Sequence, residues 1–168
     1  MELPEATRIR LTSQHELIGE MLSGLSEEQL NQEVFSGKWT VHQQLAHLVS
    51  YQEMFYERVQ TIMNSFNAVF SPYVADDDEA FLIAAKLPVH ELLINLNQIR
   101  ETIIKFYFGL NSGELIRKGK HTRLGNFSIA LWAEFFLLHE AHHIYSIFLL
   151  SNKLTNVRTT NLEPGLNL

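Results

Sequence analysis

Apolar residues recur every three or four positions through almost the whole chain, and that periodicity constrains the fold more than any other feature. Between residues 41 and 62, Val41, Leu45, Leu48, Phe55, Val59 and Ile62 form one seam, as in a long helix with one buried face. Thr40 precedes the seam as an N-cap, and Gln43 three residues later completes a capping-box pattern. This second helix is expected to end near residue 65. A first helix is expected over about residues 5–23, ending near Gly24, with one further helical turn in the connector "LSEEQLNQEVFSGKW". Pro88 suits the first turn of a third helix, whose seam is Leu92, Leu96, Ile99, Ile103 and Tyr107 and whose end is marked by Gly109, Asn111 and Gly113. Asn126 or Ser128 caps a fourth, expected to run to about Asn152. The stretch "NAVFSPYVADDDEAFLIAAKLP" reads as an irregular crossover with a short helix after its acidic run. Residues up to about 126 read as loop, no run alternates as a strand does, and residues 153–168 read as a loosely packed tail.

Four amphipathic helices of similar length predict an all-α fold, a four-helix bundle with a long crossover connection. With no linker or repeat, the 168 residues are expected to form one domain with its core in about residues 5–152. A net charge of -6 without a basic patch argues against nucleic acid and anionic membrane surfaces as partners; the densest basic run, "IRKGKHTR", is short. The apolar run around residues 127–138 is broken by Glu134, well short of the roughly 20 residues a membrane span needs. The start "MELPEATRIRLTSQ" lacks the pattern of a signal peptide, so a cytoplasmic protein is expected. There is no cysteine, which excludes disulfides and thiolate metal sites and leaves any thiol chemistry to a substrate or cofactor.

One stretch departs from this plan. "HEAHH" lies inside "IALWAEFFLLHEAHHIYSIFLL", where a helix wants packing side chains. Trp132, Phe136, His139, His143, Ile147 and Leu150 fall on one stripe, so His139 and His143 occupy core positions. Two imidazoles at i and i+4 stand one above the other, close enough to chelate one cation. Left without partners they would cost about 1–3 kcal/mol per unsatisfied group; a backbone hydrogen bond or a metal would offset that. His142 points about 100° away around the helix and reads as a flank residue, and Glu140 reads as solvated. A third ligand must come from elsewhere. His42 reads as surface, His15 stands among polar neighbours, and His90 and His121 sit at a helix start and in a loop. His47 is mid-helix, about 100° off its seam beside Tyr51 and Met54; periodicity alone leaves it either a ligand or a core-edge histidine bonded to a carbonyl.

A tryptophan and a threonine opening a long helix, then "LAHL", then "KHTRLGNFSI" leading into "HEAHH", together resemble the DinB-like superfamily over roughly residues 5–152. The resemblance implies a bundle of the DinB/YfiT-like type, often dimeric, with a divalent metal, zinc or nickel, on three histidines. Their counterparts here are His47, His139 and His143. It also implies transferases or isomerases that use a low-molecular-weight thiol such as bacillithiol or mycothiol.

Two functions follow as expectations. In the first, the metal activates a thiol or a water for attack on a small electrophile, as a thiol S-transferase or a hydrolase. Trp132, Phe136 and Tyr51 would line the pocket, although each suits the core equally well. Gln44, Glu53 or His142 would orient a ligand. In the second, the chain is a non-catalytic, stress-associated binding module whose metal only holds the helices together. A closed fourth position would favour the second, an open one facing a cavity the first.

Overall fold

The computed structural model describes residues 2–160, with side chains described as far as residue 155. Four long helical arms pack side by side: α1 (Glu5–Ser13) with α2 (Glu16–Leu22), α4 (Val41–Asn64), α6 (Val89–Gly109) and α8 (Ile129–Thr160). α4 packs between α6 and α8, and the first arm lies against α6 and α8. The expected bundle is therefore the observed one. No helix among the described residues is long and apolar enough to cross a membrane.

The start of α4 follows from its cap. Thr40 is extended, its hydroxyl accepts from the Gln43 amide at 3.2 Å, and the Gln43 side chain accepts from the Thr40 amide at 2.9 Å. α8 begins at Ile129, where the Ser128 hydroxyl accepts from the Leu131 amide. That helix continues past the expected end at Asn152 to Thr160, and Leu154 is buried against the core. The remainder of the expected tail, residues 161–168, lies outside the described residues. The first arm is two helices rather than one. Thr12 and Ser13 both turn their hydroxyls back onto the Ile9 carbonyl, and such bonds weaken the ladder that would carry the helix through Gln14 and His15.

Both long connections carry structure that the periodicity did not announce. The connector before α4 holds the turn α3 (Glu27–Leu30), as expected. The crossover holds β1 (Val69–Phe70), a 3-10 turn at Ala75–Asp77 and the expected short helix α5 (Glu79–Ala84). The segment expected as loop holds α7 (Ser112–Leu115), β2 (Lys118–His121) and β3 (Gly125–Ser128). β2 is the middle strand, parallel to β1 and antiparallel to β3, so the two connections are stitched together at one end of the bundle. Gly119 makes this possible: a Cβ there would lie 2.7 Å from the Ile62 side chain of α4.

The core is divided into two apolar clusters. One gathers the N-terminal halves of α4 and α6 with the C-terminal half of α8; the other gathers their opposite halves. A polar layer lies between. Arg100 and Glu140, both wholly buried, form an ion pair there. Arg100 also donates to Gln52 at 2.8 Å and to the Leu11 carbonyl at 3.3 Å, while Gln14 donates to Glu140 at 2.8 Å. Glu140 is thus not solvated as expected. It does point away from the histidine pair, but α6 covers that face with a counter-ion.

Candidate metal centre

The other side of the polar layer holds the histidines. His47 stands two turns into α4, after the Thr40 cap, and His139 and His143 are one turn apart on α8. Their Nε2 atoms converge. His47 Nε2 and His143 Nε2 each lie 3.2 Å from His139 Nε2, and the three rings form the single potential metal-holding group of this kind among the described residues. His143 Nδ1 donates to the Gln44 side-chain oxygen at 2.6 Å. That leaves the His143 Nε2 as a lone pair aimed into the cluster.

A protein alone satisfies this arrangement poorly. His139 Nε2 can donate one proton to one neighbour, so at least one of its two short contacts is left without a favourable proton arrangement. The Nδ1 atoms of His47 and His139 are buried without a partner. Burial lowers the pKa of each ring: His47 to about 4, His143 to about 3 and His139 to about 2. Neighbouring histidine charges push the same way, and only Asp78 opposes the shift, at His47. Three neutral imidazoles presenting nitrogen lone pairs to one point are a donor set suited to a divalent cation.

Aromatic rings hold the cluster in place. Tyr51 stacks on His139 with centroids 3.5 Å apart, and Trp39 stacks against Phe81 and His143. The three histidines line a cavity of about 530 Å³ together with Trp39, Tyr51 and Tyr73. Phe135, Arg58 and the His121, Arg123 and Leu124 side chains of the β2–β3 hairpin complete its wall. Tyr73 donates to Asp78 at 2.5 Å and stands 3.0 Å from the Ser50 hydroxyl. His121 Nδ1 accepts from the Arg123 and Leu124 amides, both at 3.2 Å, and so shapes the hairpin turn.

Several expectations need correction. Trp132 and Phe136 do not line the cavity. Trp132 packs under the sheet against Phe70 and Phe127, and Phe136 stacks on Phe55 at 4.4 Å. Glu53 is exposed and six residues beyond His47, which turns it about 240° away around the helix. His142 is exposed with its ring edge-on to His143 at 5.1 Å, outside the converging set. His42 is buried and donates to the Leu87 carbonyl at 2.7 Å, and His15 is buried at the start of α2. Gln44 and Tyr51 stand at the site as expected. Trp39, Tyr73 and Arg58 are not singled out by the sequence as cavity residues, and His121, weighed there only as a ligand, lines the wall instead: Trp39, Tyr73 and His121 lie outside the long helices, and Arg58 carries no pattern signal of its own.

A model of the DinB superfamily matches residues 10–147. The chain belongs to that superfamily. A relative from Bacillus mycoides, named "Putative metal-dependent hydrolase", is 26% identical over 133 residues, covering 79% of this chain and 76% of the relative. One with the same description from Oceanobacillus iheyensis is 29% identical over 133 residues, covering 77% and 75%. The solved structure of YfiT from Bacillus subtilis superposes with a TM-score of 0.77 at 17% identity, over 90% of this chain and 87% of that one. That structure is titled "a probable metal-dependent hydrolase with an unusual four-helix bundle topology", and it shares the DinB fold seen here. The relatives' names and the His47–His139–His143 cluster both suggest metal dependence.

Proposed function

We propose that His47, His139 and His143 hold one divalent metal, zinc or nickel, and that this DinB protein is an enzyme acting on a small electrophile. The nucleophile is a water or a low-molecular-weight thiol, giving a hydrolase or a thiol S-transferase. The observation that carries this reading is the open side of the cluster. All three histidines face the cavity, and no fourth protein ligand joins them among the described residues. A purely structural site would close that position, which speaks against a binding module with a structural metal.

A divalent metal on three imidazoles supplies an electrophilic centre that makes a water or thiol more acidic and polarises a bound carbonyl. The chain's own groups do the rest. Gln44 fixes the His143 proton on Nδ1, and Tyr51 keeps the His139 ring in its plane. Tyr73 keeps its hydroxyl proton, because burial and then its bond to Asp78 push its pKa up; that proton is held by Asp78, so the hydroxyl meets the cavity as an acceptor. Trp39, Leu124 and Phe135 limit the water that reaches the cavity floor. The nucleophile is not a cysteine, because the chain has none. The setting this reading implies is cytoplasmic, as a homodimer acting on small molecules rather than nucleic acid or membranes.

The test is metal-dependent turnover. Zinc- or nickel-loaded protein is assayed on activated esters and amides, and on bimane-type electrophiles with added thiols. Turnover lost in the metal-free protein and in His47→Ala is the expected result. Stoichiometric metal with no turnover in either panel would favour the structural reading.

A further inference from the structure

The cavity above the three histidines carries a charge opposite to that of the chain. The whole sequence has a net charge of -6, yet the charged side chains lining this cavity are Arg58 and Arg123, with no carboxylate among its described lining residues. Asp78, whose charge acts on His47, lies outside that lining and accepts from the Tyr73 hydroxyl and the Ala80 amide.

The two arginines come from different elements. Arg58 lies eleven residues beyond His47 on α4, close to three full turns, so both project from one face. Side chains on a helix lean toward its N-terminus, which tips Arg58 toward His47. Arg123 sits at the tip of the β2–β3 hairpin, carried there by the His121 ring. Arg58 donates to the Ser71 carbonyl at 2.7 Å and lies over the Phe70 ring at 5.3 Å. Neither arginine has a carboxylate partner among the described residues. A half-buried guanidinium has five donors, and the one hydrogen bond of Arg58 among the described residues is that to Ser71. Burial also lowers its pKa, the electrostatic sign of a charge held without a full complement of partners. Both arginine charges act on His121, so their fields meet at the same wall.

We propose that Arg58 and Arg123 form an anion subsite, so that the small molecule received above the three histidines carries a negatively charged group held away from the reacting centre. This rests on the metal reading above. It adds the substrate class: an anionic electrophile, or an anionic thiol that presents its sulfur to the histidines. Arg58 also pins the crossover through Ser71, whereas the Arg123 side chain is exposed and has no ion pair among the described residues.

The test separates the two readings. Cobalt-substituted protein is titrated with monohydroxamates of linear dicarboxylic acids of four to eight carbons and with their primary amides of equal length, following the visible cobalt spectrum. Hydroxamates bind metals whatever the natural nucleophile. The acids should bind about tenfold tighter than the amides at the matching length, the effect of about one charge-assisted hydrogen bond. Arg123→Gln should erase most of that difference and leave the amides' affinity in place; Arg58→Gln should erase it too, with any loss of the Ser71 bond read separately as an equal weakening of acids and amides. Equal affinity for acid and amide at every length overturns the anion subsite while leaving the metal centre intact, as does a preference that survives both substitutions. If no hydroxamate perturbs the spectrum, the metal reading fails and the subsite falls with it.

Discussion

Gln44 decides which nitrogen of His143 faces the cluster, because its side-chain oxygen takes the Nδ1 proton at 2.6 Å. Groups that orient a ligating histidine in this way are worth about 10–100-fold in metal affinity. Gln44→Leu should therefore weaken zinc binding by about that range in a chelator competition, with helicity unchanged; an unaltered affinity would show that the bond does not orient the ring. The same scale shows what could be read beforehand. His139 and His143 were legible because two imidazoles on an otherwise apolar stripe have no packing reason to be there. His47 was not legible from periodicity, and only the family resemblance singled it out. Tyr73, His121 and Arg123 reach the cavity from the crossover and the hairpin, where no repeating pattern marks a residue's direction. Glu140 was misread for a different reason: its direction was correct, but its environment depends on Arg100, forty residues earlier on another helix.

At the scale of the elements, the Arg100–Glu140 pair ties α8 to α6, while Gln14 and Gln52 bring α4 and the first arm into the same network. Glu140 follows His139 directly, so the bond that fixes the rotation of α8 also aims the histidines. Removing one partner of a buried pair leaves a buried charge alone, at a cost of about 3–5 kcal/mol. Glu140→Ala should lose about that much stability in urea unfolding. The double variant Arg100→Met/Glu140→Leu should recover most of it, and a double variant no better than the single would contradict this account. The small sheet depends on close approach. Gly119→Ala forces a methyl group against Ile62 and should cost about 1–3 kcal/mol, as overpacking does; a neutral result in the same assay would mean that Ile62 moves aside freely. The four long helices were readable because each repeats its pattern over several turns. Strands of two to four residues repeat too little to be read, and β1 and β2 pair across about fifty residues of chain.

Over the whole molecule, the polar layer between two apolar clusters makes stability sensitive to acid. Burial, and then the charge of Arg100, hold the His15 ring down to about 4, against an ordinary 6.5. Between those values the unfolded chain binds more protons than the folded one. Stability from this group is therefore full above about pH 6.5 and lost as the pH falls toward 4. In metal-free protein, His15→Leu should flatten the fall in urea midpoint over that window by up to one proton's worth, and an unchanged slope would show that His15 is not held neutral. The cluster of His47, His139 and His143 remains the central claim, since the cavity, the orienting bonds and the proposed chemistry all depend on its holding a cation. The most direct test is elemental mass spectrometry on untagged protein purified without chelator, beside His139→Ala. About one zinc or nickel per chain, absent from the variant, is the predicted result. No metal in either protein, with no gain in thermal stability on adding zinc or nickel, would contradict the account.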